Sequence, residues 1–164
     1  MNQPHSLLPA TLLAATRVLA DKLAQEAAHR DASRTMPFDV FAEIRHRRLG
    51  ALRVPSWAGG AGGSWRDVVQ QYLDLAAGDA SVAQAFLGHV VFVERLLLMG
   101  TEAQKQRFLP LAAQGYIFSG AAAEPGGRFR GEWQTRLTSH GEHFSLTGVK
   151  PFRTRALCGD WRTT

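Results

Sequence analysis

The distribution of alanine divides this sequence into two unequal parts. Of its 24 alanines, 23 stand at or before Ala123. Alanine has the strongest intrinsic preference for helix, so most of the chain is predicted to be helical. The apolar residues of the last part alternate in the way that is typical of strands. The expected fold class is therefore α+β, with an all-helical domain over residues 1–115 and an incomplete antiparallel β domain over 116–164.

Apolar spacing and capping residues predict five helices. The first two, at 10–30 and 38–48, carry apolar residues near the 3.6-residue helical period. The other three each begin at a polar residue that can accept a hydrogen bond from the first turn. These caps are Ser64 with Asp67, Asp79, and Thr101 with Gln104. Between the second and third helices, residues 51–55 are expected to be extended.

Beyond Gly115 the sequence indicates strands. Residues 116–122 read as a strand of small residues, and 135–138 with 144–147 read as a hairpin around a turn at 139–142. Residues 152–154 read as the start of another strand. So few strands rarely close a β domain, and their edges would be exposed. The chain is therefore expected to hold a whole helical domain and part of a β domain.

The composition narrows the class of protein. Cys158 is the only cysteine, so no intramolecular disulfide can form, and a reducing compartment is expected. The apolar run at 90–99 contains Glu94 and Arg95 and falls short of the ~20 residues of a membrane span. Residues 1–20 have a weak likeness to a transit peptide, but acidic residues continue the same helix. We therefore expect a cytoplasmic protein that does not associate with a membrane.

Positive charge is concentrated at the end of the chain. The net charge is +5, and residues 128–164 carry seven Lys and Arg against three Asp and Glu, which gives +4 there. Such a tail could contact the phosphates of a nucleotide cofactor, coenzyme A or nucleic acid, or it could be a solvated surface. No DNA- or RNA-reading motif is present, so nucleic acid is not an expected partner.

Four other features have a functional and a structural interpretation. The glycine-rich run at 59–63 lacks the Lys and Ser or Thr of a phosphate loop, which favours a linker. His140 and His143 supply too few ligands for zinc, so no metal is expected. His89 lies in an apolar helix, which favours a hydrogen-bonded interior residue over a catalyst. Glu124 follows a strand and is either a catalytic carboxylate or part of a turn.

Several motifs, in order and at matching spacing, resemble those of the acyl-CoA dehydrogenase superfamily. They are LGALRVP at 49–55, GGAG at 59–62, DASVA at 79–83, GTEAQKQRFLP at 100–110, AEPG at 123–126 and LTGVK at 146–150. The ending ALCGDW at 156–161 is similar to the dibenzothiophene-monooxygenase-like branch, whose flavin activates oxygen.

The resemblance implies a fold and a chemistry. The family's fold is a helical domain, a β domain and a C-terminal helical bundle, with FAD between the last two. Acyl-CoA dehydrogenases remove two hydrogens from an acyl thioester, using a carboxylate base and the flavin. That base belongs to the bundle, which this chain is expected to lack, so we assign no catalytic residue.

The resemblance also places the flavin contacts on two segments of this chain. They are Gly120, Ala122 and Ala123 in the first segment, and Phe152, Arg153 and Thr154 in the second. Ala123 replaces a common threonine of the family and keeps only its backbone amide. The Thr154 hydroxyl would suit the flavin N5 region.

Three functional hypotheses follow from the sequence. The first is an acyl-CoA dehydrogenase-like FAD-dependent oxidoreductase, present as a truncated chain that is inactive alone. Its expected partners are acyl-CoA or another small-molecule substrate and a separately encoded C-terminal bundle. The second is a flavin-dependent monooxygenase of the same superfamily. The third is a non-catalytic helical remnant that binds a partner.

Overall fold

The computed structural model describes residues 7–121, 124, 132–151 and 159–163. Within them the chain forms five α-helices followed by four short strands. The helices are α1 (Pro9–Ser33), α2 (Phe38–His46), α3 (Trp65–Gly78), α4 (Ala80–Met99) and α5 (Glu102–Ala113). The strands are β1 (Phe118–Gly120), β2 (Arg136–His140), β3 (His143–Thr147) and β4 (Trp161–Thr163). A mostly helical domain with a partial sheet is the fold class expected from the sequence.

The helices enclose a hydrophobic core in two parts. In the first part, α1 packs on α3 and α3 packs on α4, around the fully buried Phe41 and Phe86. In the second part, α4 and α5 meet β1 around Phe118, which is 1% exposed. Burial of such side chains is the main force that stabilises the fold. β1 is therefore part of the core that the helices build.

The predicted caps of the last three helices are confirmed. The Ser64 hydroxyl accepts a hydrogen bond from the Asp67 amide, and the Asp67 carboxylate accepts one from the Ser64 amide. Thr101 and Gln104 form the same reciprocal pair at α5. At α4, Asp79 accepts from the amides of residues 81 and 82. Each cap satisfies amides that have no partner within the helix.

The expectation that residues 51–55 are extended is wrong for 51–54, which form the end of a 3₁₀ turn and a bend, whereas Pro55 has φ −60° and ψ 153°. Arg48 takes the left-handed conformation with φ 55°, and Leu49–Ala51 then form a 3₁₀ turn. The Arg48 side chain fixes this turn by donating to the carbonyl oxygens of Ala113 and Gly59 at 2.5 and 2.9 Å. Contacts with residues distant in sequence therefore override the local extended pattern.

The strands form two separate pairs. β2 and β3 are the predicted antiparallel hairpin, in which Arg136 lies opposite Thr147 and His140 lies opposite His143. Its two-residue turn begins at Gly141, whose φ of 70° suits glycine. β1 pairs with β4 in parallel, an arrangement that the sequence analysis did not anticipate. The predicted strand at 152–154 lies outside the described residues.

Among the described residues, α4 alone is long and apolar enough to cross a membrane by length and composition. Its best 18-residue window has a hydropathy of 1.6, and 44% of that window is buried inside the protein. Glu94 and Arg95 interrupt the longest apolar run of this helix. Val82, Phe86 and Val93 of α4 are buried in the protein core.

Candidate functional site

The candidate site lies at the end of β1, where Gly120 is exposed between the buried Ser119 and Ala121. Ile117, Phe118 and Ser119 are buried, whereas Gly120 is exposed and pairs with Thr163 of β4. Gly120 is the one predicted flavin-contacting residue that the structure describes. Ala122, Ala123, Phe152, Arg153 and Thr154 lie outside the described residues.

On the helical side, His89 holds β1 in place. The Phe118 amide donates to His89 Nδ1 at 3.2 Å, so the ring proton lies on Nε2, which donates to the Gly50 carbonyl oxygen at 3.0 Å. The His89 ring is fully buried and stacks on Phe86 and Phe118. The interpretation of His89 as a hydrogen-bonded interior residue is confirmed.

On the opposite side, Asp160 holds β1 beside β4. Its carboxylate accepts from the Ile117 amide at 2.8 Å and from Arg45 Nε of α2 at 2.9 Å. Its own amide donates to the Ile117 carbonyl oxygen at 2.8 Å. A β-carbon on the preceding Gly159 would approach Ser119 Oγ to 2.7 Å, so the two strands require glycine here. The Gly159-Asp160 dipeptide was the available sequence signal for this contact.

Glu124 is engaged in a buried ion pair with Lys150. Its Oε1 lies 2.6 Å from Lys150 Nζ, and the two side chains are 3% and 10% exposed. The Gln134 amide donates to Glu124 Oε2 at 2.5 Å, and the Thr135 amide donates to both oxygens at 3.2 and 3.1 Å. Lys150 Nζ also lies 4.5 Å from the centre of the Trp133 ring, which is a cation–π distance.

These contacts decide between the two interpretations of Glu124. The hydrogen bond from Lys150 is the largest cause that lowers the pKa of Glu124 to about 2, and the backbone amides act in the same direction. A carboxylate with such a pKa is a weak base near neutral pH, and its oxygens are already occupied by donors. The structure therefore favours a structural role for Glu124 over a catalytic one.

The glycine-rich run at 59–63 is a linker, as the sequence analysis favoured. Four consecutive amides of this run donate to carbonyl oxygens of the chain itself, at 3.1, 3.0, 2.8 and 2.7 Å. They are the amides of residues 60–63, bonded to the carbonyl oxygens of Pro55, Ala51, Val54 and Leu52 respectively. A phosphate loop would instead direct its amides towards a ligand.

Within residues 7–121, 124, 132–151 and 159–163, no three His, Cys, Asp or Glu side chains lie close enough together to hold a metal ion. His140 and His143 lie opposite each other at the hairpin turn, and His140 Nε2 lies 3.0 Å from Ser145 Oγ.

The described residues fit a planar cofactor in one respect. Gly120 lacks a side chain and is exposed at the end of a strand that is otherwise buried and held on both sides. A glycine at such a point lets a ligand approach the backbone closely.

Comparison with known proteins identifies relatives of both kinds suggested by the resemblance. The family described as "Acyl-CoA dehydrogenase, N-terminal domain" matches residues 10–116. Isobutyryl-CoA dehydrogenase of Dictyostelium discoideum is 32% identical over 124 residues, which are 74% of this chain and 30% of that protein. Dibenzothiophene monooxygenase of Rhodococcus erythropolis is 26% identical over 149 residues, which are 90% of this chain and 36% of that protein.

Solved structures share the fold. Butyryl-CoA dehydrogenase from Megasphaera elsdenii superimposes with a TM-score of 0.81 at 23% identity, over 98% of this chain and 44% of that one. FMN-bound TdsC from Paenibacillus sp. A11-2 superimposes with a TM-score of 0.77 at 24% identity, over 87% of this chain and 36% of that one. The chain spans about a third of the length of the curated relatives it matches. The chain belongs to the acyl-CoA dehydrogenase superfamily, which includes both dehydrogenases and flavin-dependent monooxygenases.

Proposed function

We propose that this chain supplies the helical part and the first flavin-facing strand of an FAD-dependent acyl-CoA dehydrogenase. The observation that carries the proposal is β1, which is buried through Ser119, held by His89 and Asp160, and open at Gly120. The relative named isobutyryl-CoA dehydrogenase supports an acyl-CoA as the substrate. Bound FAD would supply the hydride-accepting chemistry.

In this proposal the chain positions the cofactor and contributes no catalytic base. β1 orients the backbone at Gly120, and the buried core behind it keeps water away from that side. The base and the opposite wall of the site would come from a C-terminal helical bundle, either later in the same polypeptide or on a separate chain. Without the base, the chain lacks a contribution of about 10²–10⁴-fold to the reaction rate.

A flavin-dependent monooxygenase is the second candidate. The match to dibenzothiophene monooxygenase covers 90% of the chain, compared with 74% for isobutyryl-CoA dehydrogenase. The length of the match does not by itself separate the two candidates, since a probable acyl-CoA dehydrogenase of Mycobacterium tuberculosis is 29% identical over 91% of this chain. The two candidates differ in their electron acceptor, because a monooxygenase consumes oxygen.

The test is reconstitution of the purified full chain with flavin. FAD or FMN is added to the chain alone, and to the chain mixed with the separately expressed C-terminal part of the M. elsdenii butyryl-CoA dehydrogenase. We expect the chain alone to bind FAD weakly or not at all, partly because alanine at 123 lacks a hydroxyl hydrogen bond worth about 1 kcal/mol. The mixture should form a yellow complex that bleaches with acyl-CoA.

Three results would change this conclusion. Stoichiometric FAD binding and bleaching by the chain alone would show that a further domain is dispensable. Oxygen consumption with reduced FMN and an aromatic sulfur compound would favour the monooxygenase. A mixture that binds neither flavin would leave the non-catalytic binding module as the better hypothesis.

A further inference from the structure

We infer that the Glu124–Lys150 ion pair is a positioning contact, which holds the segment after β1 against the base of the β2–β3 hairpin. The inference rests on the proposed flavin site in one respect. Glu124 directly follows Ala123, and Lys150 stands two residues before Phe152, so the pair joins the two chain segments to which flavin contacts are assigned. A fixed spacing between those segments would set the width of the cofactor site.

The contacts place the Glu124 carboxylate at the open end of the hairpin. The last ladder pair there joins Arg136 of β2 to Thr147 of β3. The carboxylate accepts the amides of Gln134 and Thr135, which precede β2, and the ammonium of Lys150, which follows β3. One side chain therefore ties both ends of the hairpin to the segment that leaves β1.

The Glu124 and Lys150 side chains are shielded from solvent although the hairpin itself is exposed. Both side chains are at least nine-tenths buried, and Lys150 lies against the Trp133 ring. Across the hairpin base, a β-carbon on Gly148 would come within 2.2 Å of Thr135 Oγ1, so the segments before β2 and after β3 are already in close contact there. Displacement of the carboxylate would leave the ammonium of Lys150, whose side chain is 10% exposed, without its anionic partner, and this is costly.

The ionic character of the contact suits positioning better than simple stabilisation. A buried ion pair often adds little to stability compared with apolar residues of the same volume, because both charges lose their hydration. It does select one geometry, since a carboxylate has a fixed set of acceptor directions. The Lys150 hydrogen bond is the main cause that lowers the pKa of Glu124 to about 2, so the carboxylate stays ionised at acidic pH values where an ordinary glutamate is protonated.

The two charges of this ion pair cannot be swapped between positions 124 and 150, as they could be in an ordinary surface ion pair. The carboxylate accepts backbone amides as well as Lys150, so a cation at 124 would face two N–H donors. Exchange of the charges in the Glu124→Lys, Lys150→Glu double variant should therefore fail to restore the contact. The Lys150→Arg variant keeps a cation at this position and should largely retain the contact with Glu124.

The experiment uses the full chain in two measurements. NMR of the chain alone follows the amide shifts of Gln134 and Thr135 in wild type, Glu124→Gln, Lys150→Arg and the charge-exchanged double variant. Flavin affinity is then measured for each variant in the mixture with the butyryl-CoA dehydrogenase C-terminal part. The matched control is Glu102→Gln, which removes an ion pair with Lys105 in which Glu102 is 78% exposed.

Expected results are specific to each variant. Glu124→Gln and the double variant should change the chemical shifts of the Gln134 and Thr135 amides. The same variants should weaken flavin binding about tenfold, as expected for the loss of a charged acceptor. Lys150→Arg should stay near wild type, and Glu102→Gln should be indistinguishable from it. Helix content by circular dichroism should be the same throughout, because the contacts described for the pair join residues 124, 133–135 and 150, which lie outside α1–α5.

The remaining outcomes distinguish between the positioning contact, its effect on flavin binding and the proposed function. Unchanged amide shifts in Glu124→Gln would overturn the positioning contact itself. Shifted amides with unchanged flavin affinity would overturn its role in spacing the two segments. If the wild-type mixture binds no flavin, the proposed function fails, and the amide shifts alone decide whether the pair holds the hairpin.

Discussion

His89 Nε2 lies 3.0 Å from the Gly50 carbonyl oxygen, and a β-carbon added to Gly50 would approach the same nitrogen to 2.5 Å. The ring has no room to retreat, because Phe86 and Phe118 stack on it with centroid distances of 5.6 and 5.9 Å. The 3₁₀ turn, α4 and β1 are thus joined through one imidazole.

Gly50→Ala should therefore destabilise the protein. The added methyl group must displace the His89 ring or the turn, and overpacking of this kind costs about 1–3 kcal/mol. The measurement is the free energy of unfolding from urea denaturation monitored by circular dichroism. His89→Ala provides the control, since it removes the ring that the methyl group would meet.

In the His89→Ala background the same Gly50→Ala change should cost much less, so the two effects should not add. If Gly50→Ala costs as much without the ring as with it, the close approach is not what requires glycine at this position.

Asp79 should be the most costly of the helix caps to remove. Its Oδ1 accepts the amides of residues 81 and 82, while its Oδ2 accepts from Arg30 of α1 at 3.0 Å. Asp79→Ala removes both the cap and the partner of a guanidinium whose side chain is 9% exposed, so we expect a loss of about 3 kcal/mol. Calorimetric or denaturant unfolding measures it.

Ser64→Ala is the matched control, because Ser64 caps α3 at an exposed position without such an ion pair. Its expected cost is about 1 kcal/mol. Equal losses in the two variants would contradict a structural role for the Arg30 contact.

Acid should weaken the packing around Glu124 within a defined range of pH. Since the pKa of Glu124 is lowered to about 2 in the folded chain, its ionised form favours the folded state. That contribution is complete above the ordinary glutamate pKa of about 4.3 and is lost as the pH falls towards 2. The carboxyl ¹³C shift of Glu124 should titrate with a midpoint near 2. A midpoint near 4 would show that the carboxylate is not held by Lys150 in solution.

Proteolysis should begin in the strands and spare the helices. Every residue of β2 and β3 is exposed, including Leu137 and Phe144, whereas α1–α5 share a buried core. Local opening is easiest where few apolar side chains are buried. Brief digestion with trypsin followed by mass spectrometry should yield cuts at 128–162 first. Earlier cuts within 10–113 would contradict a cooperative helical unit.

The sequence predicted those parts of the fold that depend on neighbouring residues. The caps at Ser64, Asp79 and Thr101 were predictable because the bonded amides lie two or three residues away. The hairpin followed from alternation around a glycine turn. His89 was identified as an interior residue because the helix around it is apolar.

The features that were missed depend on distant contacts. The turn at 49–51 forms because Arg48 reaches Ala113, 65 residues further along the chain. The parallel pairing of β1 with β4 depends on Asp160 and Ile117, 43 residues apart. Glu124 and Lys150 are separated by 26 residues, so local pattern gave no indication of the pair. All six predicted flavin contacts stay predictions, and so does the domain division at 115 and 116.

The burial of Phe118 has a consequence for how this protein could be divided. Its ring lies 4.1 Å from that of Phe92 and meets Phe108 edge-on, so the aromatic cluster of the helices is complete only when β1 is present. The change from helical to strand periodicity at Gly115 is therefore not a place where the molecule can be cut without damage. A fragment ending there would leave an exposed apolar cavity at the place that Ile117 and Phe118 fill, and it should precipitate or bind hydrophobic dyes. A fragment that continues through Ala121 keeps the cavity filled, and its slowest-exchanging amides should include that of Phe118.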